Sequence, residues 1–180
     1  MDLLTKASAI DPGFAFAYYV KSQVLFHTKQ LPEAIEAAQT AVALEPNMAD
    51  GYTAMDRAEA QIGRCEQSIA HTEQAFVLSP RDPLGGLWHV DLGVAEICRG
   101  QLDVAIAEFK RAIDAGYRTY IPYAFLAAAE AAKGNDREAK LALAEAGRIN
   151  PLLTIRWFVE HVPASAGVVD GLRKAGLPEE

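Results

Sequence analysis

The sequence predicts an all-α chain, antiparallel helix pairs repeated along an α-solenoid. Three observations predict it. Alanine is abundant while glycine and proline are few and spread out, which favours closely packed helices over strands. Pro12, Pro46 and Pro80 recur at intervals of 34 residues, closing similar stretches such as Ala41-Val42-Ala43-Leu44-Glu45-Pro46 and Ala75-Phe76-Val77-Leu78-Ser79-Pro80. Gly63, Gly100 and Gly134 each end an apolar stretch just before a new helical pattern, as left-handed C-caps do, and Lys29 holds the matching turn of the first pair. A repeat of this length marks stacked supersecondary units.

The elements follow in order. Residues 1–14 read as the second helix of a truncated repeat, with Leu3, Leu4, Ala7 and Ile10 on its apolar face; a start in mid-repeat suggests a cut from a larger protein. Full units occupy 15–48 and 49–82. An insertion follows at 83–85, because the step from Gly63 to Gly100 is 37 residues rather than 34. Units resume at 86–119 and 120–153. First helices fall near 15–28, 49–62, 86–99 and 120–133, and second helices near 32–44, 66–78, 102–115 and 136–149. Pro32 suits a first turn, where its missing N–H is no loss. Asp103 and Asp136 suit helix starts, where a carboxylate meets the positive end of the dipole. The third unit ends Asp114-Ala115-Gly116-Tyr117 without a proline, so an irregular joint is expected between the second and third units. Residues 154–180 read as capping helices: the stretch 152–160 continues helical, Pro163 breaks it, and a short helix from Val168 is closed by Gly176 and Pro178.

Inside each unit the residue sizes alternate. A large residue comes early in the first helix (Tyr18, Tyr52, His89, Tyr123) and a small one early in the second (Ala34, Ser68, Ala105, Ala139). One turn later stand Ala38, Thr72, Phe109 and Leu143, then Ala41, Ala75, Ala112 and Ala146. This order resembles the tetratricopeptide repeat over residues 1–153. Ser22 and Asp56 stand where that family favours glycine. The resemblance implies a right-handed superhelical α-solenoid whose first helices line a concave groove that receives a protein segment. By helix phase the groove residues are Phe16, Tyr19, Gln23 and Phe26; Asp50, Thr53 and Arg57; Leu87, Val90, Val94 and Ile97; and Ile121, Ala124 and Ala128. Such a set suits a peptide or helix with apolar anchors. Some family members clamp a C-terminal carboxylate, but Tyr19, Gln23, Ala54, Leu87 and Asp91 occupy the matching places, so tails ending Glu-Glu-Val-Asp are not expected to bind. The alternative is a groove covered by tight curvature or by the chain's own tail. The run Gly171–Glu179 resembles the C-terminal tail of bacterial proteins in which such repeats follow a class III adenylate cyclase domain or a DNA-binding regulatory domain. That implies a regulatory segment of a larger bacterial signalling protein, with any catalysis in a domain outside this chain.

A net charge of −7 argues against direct nucleic-acid binding. No apolar run approaches the roughly 20 residues that span a bilayer, so no membrane insertion is expected. The first residues lack the basic and apolar regions of a signal peptide. Cys65 and Cys98 read as buried free thiols, which fits a reducing, cytoplasmic setting. No catalytic, cofactor-binding or metal-binding residue is assigned: His27, His71, His89 and His161 are scattered, and no Cys-x-x-Cys, His-Glu-x-x-His or phosphate loop occurs. Glu59, Glu96 and Glu130 recur at one repeat position, which favours a shared structural role. Two alternatives remain: an enzyme using Arg57, Asp50 and His89, and a scaffold that self-associates through exposed repeat ends.

Overall fold

The computed structural model describes residues 11–180, and among these every regular element is an α-helix. The helices are α1 (Ala15–His27), α2 (Leu31–Leu44), α3 (Ala49–Gln61), α4 (Cys65–Leu78), α5 (Gly85–Cys98), α6 (Leu102–Asp114), α7 (Tyr120–Lys133), α8 (Asp136–Ile149), α9 (Ile155–His161) and α10 (Ala166–Ala175). The first eight coincide with the expected helices to within one residue at each end. The helix expected over residues 1–14 lies, for its first ten residues, outside the described part.

The chain divides into two compact units, one ending at Asp82 and one beginning at Pro83. The division falls where the 34-residue period is interrupted. In the first unit α1 packs on α2, α2 on α3 and α3 on α4. Its buried centre is built from Leu25, Ala34, Ile35, Ala38, Ala54, Met55 and Ala58. In the second unit α5 packs on α6, α6 on α7 and α7 on α8, and α10 lies along α7. Phe109, Phe125, Phe158 and Leu172 belong to one continuous core there.

One device closes every first helix. The amide next after the turn residue reaches back to a carbonyl five residues earlier: Gln30 to Leu25, Arg64 to Glu59, Gln101 to Glu96 and Asn135 to Glu130, all at 2.8–2.9 Å. This closure needs a left-handed residue at the turn. Gly63, Gly100 and Gly134 supply it at φ 80°, 75° and 89°. Lys29 adopts the same conformation, φ 61°, with a Cβ that opposes it. Lys29→Gly is therefore expected to stabilise the first unit by about 0.5–1 kcal/mol, read as a higher urea midpoint, and Lys29→Ala to give no gain. The second helix α6 ends in the same way at Gly116, φ 84°, with the Tyr117 amide bonded to the Ala112 carbonyl. Glycine thus stops α6 where the other second helices meet a proline.

Two sequence readings are corrected. The stretch 152–160 begins to be helical only at Ile155, because the Thr154 hydroxyl accepts the Trp157 amide at 3.1 Å and fixes an N-cap there. Neither Cys65 nor Cys98 is a free thiol; both are half-buried and disulfide-bonded. Cys65 opens α4 and Cys98 closes α5, as the expected helix limits place them.

Candidate functional site

Only part of the expected groove offers side chains to a ligand. In the first unit Phe16 is 51% exposed and Tyr19, Gln23, Asp50 and Arg57 are half-buried. Phe26 is not available: it is buried beside Leu25, Ala34 and Ile35. Thr53 is also buried, its hydroxyl donating to the Asp50 carbonyl of its own helix at 3.2 Å. In the second unit Leu87, Val94, Ile97 and Ile121 are half-buried against the core, while Val90, Ala124 and Ala128 are buried in it. Ala128 lies against Gly171 of α10. Helical phase places these residues on the correct helices, but it does not say which neighbour covers them.

The first unit brings its exposed candidates together. The ring of Phe16 lies 5.6 Å from Tyr19, and Phe14, 48% exposed, lies 6.1 Å from Phe16. Phe14 was missed because it precedes α1 and has no helical phase; the signal is the run Phe14-Ala15-Phe16-Ala17-Tyr18-Tyr19. Tyr19 from α1 is in electrostatic reach of Asp50 and Arg57 from α3. Burial first, and then the Asp50 carboxylate, push its phenol above the usual tyrosine range, while Arg57 pulls it down. The Asp50 carboxyl is likewise held above its ordinary value of 3.8, by burial first and by Asp82 second, with Arg57 opposing. The result is an aromatic strip beside one carboxylate and one guanidinium.

A carboxyl held above its ordinary pKa binds its proton more tightly in the folded state, so its ionised form costs stability. That cost is present above the folded pKa and vanishes as pH falls below 3.8. Asp50→Asn is therefore expected to raise the unfolding midpoint at about pH 7 and to leave it unchanged at about pH 3. Equal shifts at both pH values would show that packing, not charge, is responsible.

The recurrent glutamates have structural partners. Glu59 meets His71 at 2.7 Å, Glu96 meets Arg99 at 3.3 Å, and Glu130 meets Lys110 at 3.3 Å and Asn135 at 2.6 Å. Each also offers its carbonyl to the turn closure. His89, the catalytic alternative, bonds Glu108 at 2.8 Å, and that carboxylate also pairs with Arg111. Asp56, at a position where glycine was expected, is fully buried and accepts the Ser68 hydroxyl across the α3–α4 pair. Among the described residues no three His, Cys, Asp or Glu side chains gather to hold a metal ion, and no helix is long and apolar enough to cross a membrane.

No family model matches the chain. Tetratricopeptide repeat protein 33 of Xenopus laevis is 30% identical over 114 residues, covering 61% of this chain and 43% of that protein. The crystal structure of TTC0263, a thermophilic tetratricopeptide-repeat protein of Thermus thermophilus, matches with a TM-score of 0.74 at 23% identity, over 84% of this chain and 81% of that one. The chain has the tetratricopeptide-repeat fold. YrrB, a tetratricopeptide-repeat protein with an unusual peptide-binding site, has the same fold at a TM-score of 0.62 and 18% identity, over 96% of this chain and 90% of that one. At such identities the structural likeness speaks for the fold alone. The chain spans less than half the length of the sequence relatives it matches.

Proposed function

We propose that this tetratricopeptide-repeat chain is a protein-interaction module whose first unit receives a peptide or helix with apolar anchors. One observation carries the reading: Phe16 and Tyr19 of α1 converge with Asp50 and Arg57 of α3, leaving an aromatic strip exposed beside two opposite charges. Aromatic side chains offer large apolar area at low entropic cost, and a flanking charge pair orients a peptide backbone or a polar side chain. Neighbours of this fold include a protein described as having a peptide-binding site. The remaining expected groove positions contribute mostly as support beneath the surface.

The test is a selection of displayed peptides on the purified chain, followed by titration of the winners against variants. Phe16→Ala and Tyr19→Ala are each expected to weaken binding by about tenfold or more, as truncation of an aromatic anchor does. Selected peptides that bind both variants as well as the parent would refute the site.

We assign the chain no catalysis of its own, no cofactor and no direct nucleic-acid contact. The setting in a larger bacterial signalling protein rests on the resemblance of residues 171–179, and self-association through repeat ends is the alternative. The cytoplasmic placement has lost the support of free thiols. A thiol titration of unreduced protein is expected to find none, rising to two after reduction, since the sequence holds only two cysteines. Free thiols in protein quenched directly from cells would restore that support.

A further inference from the structure

α10 does not sit where the next first helix of the series would sit. First helices that follow a pair pack on the second helix before them, as α3 does on α2 and α7 on α6. α10 instead lies along α7, a first helix, and only grazes α8. It covers α7 at Ala128, a position that the repeat pattern assigns to ligand and that is 2% exposed. Its own seam is Val168, Gly171, Leu172 and Ala175, all buried, at the helical spacing of one stripe. The crossing point is Gly171. A Cβ built there would stand 2.6 Å from the Ala128 carbonyl oxygen and 3.0 Å from the Ala128 Cα, so the two backbones touch with no room for a side chain. The outer face of α10, with Asp170, Arg173 and Lys174, is exposed. A non-helical stretch containing Pro163 joins it to α9.

We infer that the α7 face is a docking site for an amphipathic helix with a small residue at its crossing point, and that α10 is its occupant in cis. The partner is a helix repeating the α10 seam: apolar, small, apolar and small at positions i, i+3, i+4 and i+7. It docks when α10 swings away on the stretch around Pro163, a step that also breaks the hydrogen bonds from the Ile155 and Arg156 amides to the Pro178 and Glu179 carbonyls. The inference shares with the proposed function the premise that first helices carry recognition surfaces. It concerns a different unit and different residues, so Phe16 and Tyr19 variants do not affect it.

Gly171→Leu in the full chain opens the site without changing α7, because the added side chain cannot fit against Ala128. The probe is a labelled synthetic peptide of residues 163–180, followed by fluorescence anisotropy. The Gly171→Leu chain is expected to bind it at least about tenfold more tightly than the parent, whose own α10 competes at high effective concentration. Ala128→Leu added to that chain, or Gly171→Leu in the peptide, is expected to abolish the gain. A folded Gly171→Leu chain that binds no better than the parent would overturn the inference and leave α10 a fixed cap. Native-state hydrogen exchange on the parent tests the same point without a variant. Amides of Val168–Ala175 are expected to exchange at least about tenfold faster than those of Tyr120–Lys133. Equal protection of the two helices, released only by global unfolding, would also overturn it.

Discussion

Gly93→Val is expected to destabilise the second unit by about 3 kcal/mol, because overpacking a full core forces neighbours out of their rotamers. A Cβ at Gly93 would stand 2.7 Å from Cδ1 and Cζ of the Phe109 ring, and nearer still to Cε1. Phe109 is fully buried and stacks on Phe125 at 5.7 Å, so it has nowhere to retreat. Alanine at this place would gain about 1 kcal/mol of helix propensity, yet the clash outweighs it. The repeat supplies an internal control. The repeat at 15–48 combines Ser22 with Ala38 at the same two repeat positions, and the repeat at 49–82 combines Asp56 with Thr72. Where the first helix carries more than glycine, the second carries less than phenylalanine. The double variant Gly93→Ser with Phe109→Ala should therefore lose much less stability than the two single losses added together. A coupling of about 1.5 kcal/mol or more in a urea double-mutant cycle is expected, and strict additivity would show that the two positions do not compensate.

That pairing explains why the fold was legible and the site only partly so. Helix number, helix limits and turn chemistry are local: they follow from Pro46, Pro80, Gly63 and Gly134 and from the small–large order around them. Even Lys29 was readable, since the period forces a left-handed turn where no glycine stands. The site depends on what covers each face, which is not local. Phe26 shares a helical stripe with Phe16 and Tyr19, yet one end of that stripe turns into the core and the other into solvent. Ala128 carries the right phase, but Gly171 of α10, far along the chain, lies against it. Phe14 was invisible to a phase argument because it lies before the helix begins. The cysteines were misread because nothing local in the sequence signals that two thiols so far apart are bonded rather than free.

Phe158→Ala is expected to cost the second unit about 3–5 kcal/mol, the range for deleting a buried aromatic ring. Phe158 comes from α9, outside the repeated part of the chain, and is fully buried. Its ring meets Phe125 of α7 edge-on at 5.8 Å, and Phe125 in turn stacks on Phe109 of α6. Three rings from three helices thus make one aromatic column, and removing the last leaves a cavity against the second. A helix as short as α9 has little stability of its own, so the ring holds the helix as much as the helix holds the ring. Backbone ties reinforce it: the amides of Ile155 and Arg156 donate to the carbonyls of Pro178 and Glu179 at 2.8 and 3.1 Å. If α9 were a loosely attached tail, its loss would be local and the stability of α6 and α7 would not change. Hydrogen exchange distinguishes the two cases. With Phe158→Ala, protection of α6 and α7 amides should fall together with that of α9, while α1–α4 keep theirs. Unchanged protection in α7 would mean that the extension merely rests on the repeats, and the column would then have no energetic continuity beyond Phe125.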